Sequence, residues 1–216
     1  MPPMDVETPA ATVPARRRLA ADDRREAILR SARKVFARNG FRGASTAAIA
    51  AGAGCSEPML YKLYASKQAL FAAVLRHATE EMSCTMMELL DGSEDTVDAL
   101  AMTAHRVCSD GLVVEIIRLR MLAMSLSDEP EIRAALVESV DRMRTGWGQR
   151  VAAAQRAGTV RSDVDADAVV WLWTGFTLMA GYRHALEGDA ALADAQRLAD
   201  TFLQLIRTPR QEGEVA

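Results

Sequence analysis

Residues 45–67 read STAAIAAGAGCSEPMLYKLYASK, and the fold turns on this stretch. Ser45 is a good N-cap for a short helix running to about Ala51. Gly52 and Gly54 interrupt the chain, and Ser56 is placed to cap a second short helix from Glu57 to about Leu63 or Tyr64. Pro58 fits there because first-turn N–H groups have no helical acceptor. Ile49, Ala50, Leu60 and Tyr64 are spaced to hold the two helices together, and Tyr64 reads as core. Two short helices across a tight turn make a helix-turn-helix layout. In such a layout the second helix enters the major groove by its N-terminal end. Its dipole and free N–H groups favour phosphate nearby.

The chain around this stretch is helical. Ile28, Leu29, Ala32, Val35 and Phe36 recur at three- and four-residue steps in a helix from Asp22 that Asn39-Gly40 ends. Ser66 caps a long helix with a Leu70, Phe71, Val74, Leu75, Ala78 stripe. Further helices are expected at 96–109, 112–126, about 130–157, 165–186 and 190–207, with no alternating strand pattern between them. The fold class is therefore all-α with about nine helices. Residues 1–20 are a Pro/Ala/Thr-rich tail ending in Arg16-Arg17-Arg18, read as disordered. That basic end either touches DNA as an arm or is simply solvated.

Charge divides the chain more sharply than its net of −3 suggests. Residues 15–77 carry thirteen Lys/Arg against four Asp/Glu, whereas residues 78–216 carry thirteen Arg against twenty-three Asp/Glu. A basic front and an acidic rear point to two jobs, one facing a polyanion. The longest uncharged run, Ala168–Tyr182, spans fifteen residues, short of the ~20 of a membrane-crossing helix. The N-terminus has no secretory pattern, and three scattered cysteines make neither a disulfide scaffold nor a C-x-x-C zinc site. These features read as a cytoplasmic protein with no membrane partner, no cofactor and no metal. His77, His105 and His184 lack catalytic motif partners, and no nucleotide or hydrolase fingerprint occurs, so an enzyme is the weak rival.

Residues 22–75 resemble the N-terminal domain of the TetR family of bacterial transcriptional regulators. The likeness rests on Ile28–Phe36, Asn39-Gly40-Phe41, Ser45, Ile49-Ala50, Ala53-Gly54-Cys55-Ser56, Leu60–Tyr64 and Ser66–Phe71. It implies a helix-turn-helix DNA-binding domain over residues 21–66, with a ligand-binding and dimerisation bundle over 67–216. By the same resemblance, Ser45 and Thr46 start a helix that crosses the DNA backbone. Ser56, Glu57 and Pro58 meet the groove, Tyr61 and Lys62 contact phosphate or base edges, and Lys67 binds phosphate. Three positions depart from the family pattern. Ala47 and Ala48 weaken backbone contact from the first short helix, and Leu63 replaces a common histidine. Glu57 is acidic at the DNA face, where it either accepts from cytosine or stabilises its own helix start. Cys55 reads as a small hydrophobe in the turn.

For the rear part the resemblance implies a small-molecule pocket and a homodimer on a palindromic double-stranded operator, located at the nucleoid when bound. Methionines suit an adaptable apolar cavity. Met86, His105, Cys108, Met121, Met124 and Trp147 are the pocket candidates. Each is also compatible with ordinary core. Trp173, Phe176 and Ala180 in the apolar run, with Leu198, Phe202 and Leu205 in the last helix, are the dimer candidates. Repression released by an apolar or amphipathic ligand is the expectation. A helical DNA-binding protein acting without any ligand is the alternative.

Overall fold

The computed structural model describes residues 15–91, 95–109 and 111–209. Among them are nine α-helices, joined by an isolated antiparallel bridge between Val160 and Arg207. The first four are α1 (Ala15–Gly43), α2 (Thr46–Gly52), α3 (Glu57–Leu63) and α4 (Lys67–Asp91). They are followed by α5 (Thr96–Ser109), α6 (Gly111–Met124), α7 (Pro130–Ala157), α8 (Ala166–Glu187) and α9 (Ala190–Ile206). Helix α1 begins at Ala15, ahead of the expected Asp22, so the Arg16–Arg18 segment is helical. Gly40 breaks α1 at φ 68°, which glycine adopts without a Cβ penalty.

Two apolar cores fill the molecule. The first gathers Ile28, Ala32 and Phe36 of α1, Ile49 and Ala50 of α2, Leu60 of α3, and Leu70, Phe71, Val74 and Leu75 of α4. It does not stop at the front helices: Leu119 and Ala123 of α6 and Ile132 and Ala135 of α7 belong to it. Three aromatic rings mark its centre. Phe36 and Phe71 meet edge to face at 4.8 Å, and Phe41 stacks on Phe36 at 5.9 Å. The second core joins α5, α6, α7, α8 and α9 through Leu100, Ile117, Val151, Val170, Trp173 and Leu203, among others.

Caps and close approaches set the geometry. Asp165 accepts from Ala168 N–H at 2.7 Å to start α8, and Gly158 ends α7 in the left-handed region. After α7 the chain returns to the end of α9, where Arg161 N–H donates to the Ile206 carbonyl at 2.9 Å. Helices α6 and α8 approach closely at Gly181, where a Cβ would lie 2.2 Å from Ile117 Cδ1 and 3.0 Å from its Cγ2. We expect Gly181→Val to lower stability by about 1–3 kcal/mol, because a branched side chain forces α6 and α8 apart. A urea unfolding midpoint equal to that of the parent would contradict this close approach.

Candidate nucleic-acid interface

The front surface is built from α2 and α3. Ser45 accepts from Ala48 N–H at 3.3 Å and so caps α2. The turn closes through Gly54 N–H to Ala51 O and Cys55 N–H to Ala50 O, with Gly54 at φ 67°. Ser56 holds the N-cap position of α3, but its side chain makes no cap hydrogen bond, unlike the expectation. Close packing of α2 on α1 explains the glycine at position 52. A Cβ there would sit 2.5 Å from Ser31 Oγ, which donates to the Ile49 carbonyl at 2.8 Å.

Ser45, Ser56, Pro58, Tyr61 and Lys62 are exposed, and Thr46, Glu57 and Lys67 are half-buried. Glu57 does not point out alone. Its carboxylate accepts from the Thr46 hydroxyl at 2.5 Å, and Thr46 Oγ1 lies 3.4 Å from Tyr61 Oη. This polar bridge ties the start of α2 to α3. It sets Glu57 against its neighbours, with one of its oxygens already engaged. Lys67 Nζ lies 5.0 Å from the Phe41 ring centroid and donates to the Arg42 carbonyl at 3.4 Å. Its ammonium is thus held at the junction of α1 and α4. Ala47 and Ala48 are exposed, so this part of α2 presents methyl groups. Leu63 and Cys55 are half-buried against the first core. Tyr64 is buried, and burial pushes its pKa up against the opposing pull of Arg25.

Behind this surface lies an ionic cluster that sequence reasoning missed. Arg33 of α1 is 8% exposed. It pairs with Glu81 of α4 and, at 3.4 Å, with Glu115 of α6. His77 Nδ1 stands 3.5 Å from the same Glu81 oxygen. The partners lie far apart along the chain, so no local spacing announces the cluster. It links the helix that carries the front domain to two helices of the rear bundle.

The rear candidates scatter. Trp147 borders a cavity of about 290 Å³ between α4 and α7, with Met82, Met87 and Met143, and with Glu80 and Arg142 also on its wall. Met121 and Met124 are exposed on α6 and do not line it. The side chains of Met86, His105 and Cys108 fall outside the described residues. Of the interface candidates, Trp173 and Ala180 are buried in the chain's own second core, and Phe176 and Phe202 pack against that core. Leu198 and Leu205 are exposed. The outward apolar surface of α8 is instead carried by Trp171, Leu172, Leu178, Met179, Tyr182 and Leu186. Among the described residues no group of three His, Cys, Asp or Glu could hold a metal ion, and no helix is long and apolar enough to cross a membrane.

Residues 28–74 match the family described as "Bacterial regulatory proteins, tetR family", and residues 109–208 match "Transcriptional regulator SbtR-like, C-terminal domain". The chain belongs to the TetR family. The first match covers the helix-turn-helix and the second most of the rear bundle. As a TetR-family protein the chain is a DNA-binding transcriptional regulator. It is 28% identical over 149 residues to the HTH-type transcriptional regulator UidR of Escherichia coli strain K12, covering 67% of this chain and 73% of that protein. It is 24% identical over 185 residues to the transcriptional repressor AcnR of Corynebacterium efficiens, covering 86% of this chain and 93% of that one. The TetR fold itself recurs in a regulator from Saccharomonospora viridis solved in complex with choline. That structure has a TM-score of 0.75 at 19% identity, covering 88% of this chain and 100% of the other.

Proposed function

We propose that the chain is a repressor that binds a palindromic operator as a homodimer and is released by a small molecule held in its rear bundle. Residues 21–66, joined by Lys67 at the start of α4, make the DNA contacts in this reading, and the rest of residues 67–216 carries the effector and the dimer. The observation that supports it most is the polar, exposed α2–α3 surface on a +9 segment, residues 15–77, coupled by Arg33 to α4 and α6. Tyr61 and Lys62 contact the groove or its phosphates, and Ser45, Thr46 and Lys67 fix the register on the backbone. Ser56, Glu57 and Pro58 face the base edges.

The dimer reading is favoured by the eight large apolar side chains exposed along α8 and α9, among them Trp171 at 51%, Leu172 at 62% and Leu205 at 64%. Such a surface on a monomer is more apolar than water tolerates cheaply. Two α8–α9 pairs facing one another would form a four-helix interface. Two recognition helices would then span about 34–36 Å or a multiple of it, which makes the operator a palindrome. Repressor sign follows the precedent of AcnR, and the effector reading that of the choline-bound neighbour. The protein acts in the cytoplasm, at the nucleoid.

Selection of genomic fragments with the purified chain tests the reading. One inverted-repeat site, bound by two copies of the chain, is the expected product. On that site, Lys62→Ala is expected to weaken binding about 10-fold or more and to lower the salt slope by roughly 0.9, one phosphate's worth. Fragments without symmetry, or an unchanged slope, count against it.

A further inference from the structure

Arg120 of α6 differs from the arginines of the rear bundle that hold ion pairs, and it is less exposed than Arg118, Arg133 and Arg156. Arg76, Arg142, Arg144, Arg161, Arg183 and Arg207 each face a carboxylate. Arg120 is partly buried and, among the described residues, faces none. Its guanidinium donates to Ser139 Oγ and reaches Met143 Sδ at 4.0 Å. Ser139 Oγ lies in turn 2.9 Å from Thr79 Oγ1, and Thr174 Oγ1 is 3.9 Å from the same Met143 sulfur. Among the described residues a neutral hydroxyl and a thioether are thus what this positive charge, with five N–H groups to satisfy, is given as acceptors. Desolvation pushes the Arg120 pKa down, in the direction of a charge lacking its counter-ion.

Met143 connects this charge to empty space. Its side chain borders the cavity of about 290 Å³ between α4 and α7 on one side and touches Arg120 on the other. Met82, Met87 and Trp147 give the wall its apolar part, and Glu80 and Arg142, paired with each other, stand on it with Ser83, Cys84 and Gly146. Methionine is unbranched and changes rotamer readily, so Met143 is a movable partition. A cavity of that size sits at the small end of ligand sites.

We propose that the cavity takes a small apolar carboxylate, its tail among Met82, Met87 and Trp147 and its acid group paired with Arg120 and Ser139 once Met143 turns aside. The proposal rests on the effector reading above and names the effector's chemical class. A carboxylate supplies the acceptors that the planar guanidinium lacks, in bidentate geometry. Ser139 and Thr79 provide a hydroxyl relay behind it. Arg120 shares α6 with Glu115, the partner of Arg33, so the anion binds on a helix that already holds the front domain.

Octanoate, 1-octanol and octylammonium are matched probes that differ in the head group. Calorimetric titration of the full chain is expected to give octanoate at least 10-fold tighter binding than either control. Arg120→Gln is expected to abolish that preference by weakening octanoate about 10- to 100-fold with little change for 1-octanol. Arg120→Lys, which keeps the charge, is expected to retain part of it. Selectivity of the unmodified chain carries the test even if Arg120→Gln fails to fold. Equal binding of octanoate and 1-octanol, a preference that survives Arg120→Gln, or no binding of octanoate at all overturns the proposal. If octanoate binds through Arg120 but leaves operator affinity unchanged, the carboxylate site stands and the effector-release reading falls.

Discussion

Phe36→Ala is expected to lower the unfolding free energy by about 3–5 kcal/mol. Phe36 is fully buried, and its ring contacts both Phe41 and Phe71. Truncation removes the transfer energy of an aromatic side chain and leaves a void between α1 and α4. The surrounding rings fill that void poorly, because Phe41 also anchors the Lys67 ammonium and Phe71 is fixed in α4. In the proposed reading Lys67 carries the loss to the DNA surface, so operator binding is expected to weaken at temperatures where helical content is still full. Chemical denaturation followed by circular dichroism measures the first effect, and binding below the melting range measures the second. A variant that unfolds at the parent's denaturant concentration would mean that the three-ring cluster is not the centre of the first core.

Arg33→Ala is the second large effect, at about 2–3 kcal/mol. Breaking a fully buried ion pair costs roughly 3–5 kcal/mol. The lower figure follows from the carboxylates, since the side chains of Glu81 and Glu115 keep 32% and 29% exposure and can regain water. Removal of the guanidinium also leaves two like charges facing each other across α4 and α6. The variant should therefore fold less stably and couple the front domain less tightly to the rear bundle. Hydrogen exchange of the α1 and α6 amides, compared with the parent, reads out that coupling. Protection unchanged in both helices would assign the cluster to the surface rather than to the junction.

Much of the fold could be read from local chemistry. The α2–turn–α3 unit rests on side chains close in sequence: a serine cap, a glycine at positive φ, a proline in the first turn and four core residues at helical spacing. Such signals survive any tertiary context. The ends of α7, α8 and α9 follow from the same kind of signal: Gly158 ends α7, Asp165 caps α8 and Gly188 ends it, and Pro209 follows α9. The run Ala168–Tyr182 was not legible in its facing. Apolar residues occupy nearly every side of it, so periodicity carries no phase, and only packing reveals that Trp173 and Ala180 turn inward while Trp171 and Leu172 turn out. Arg33 and Arg120 were hidden for another reason. Arg33 finds its carboxylates on helices far along the chain, and Arg120 is notable for a partner it lacks. The exposed Met121 and Met124 show the opposite failure, because methionine suits a cavity wall and a helix surface alike.

The first core has a consequence for anyone who would transplant this recognition module. Phe36 and Leu60 complete their packing only with Leu70, Phe71 and Val74 of α4, and then with Leu119 and Ile132 from beyond it. A fragment ending at Ser66 would bare much of that oily surface to solvent and forfeit its own scaffold. Chimaeras that exchange operator specificity between such regulators should therefore splice after α4 and keep the matching α6 and α7 residues from the donor. The reading head has no seam at its own boundary, and so it cannot be unplugged like a cartridge.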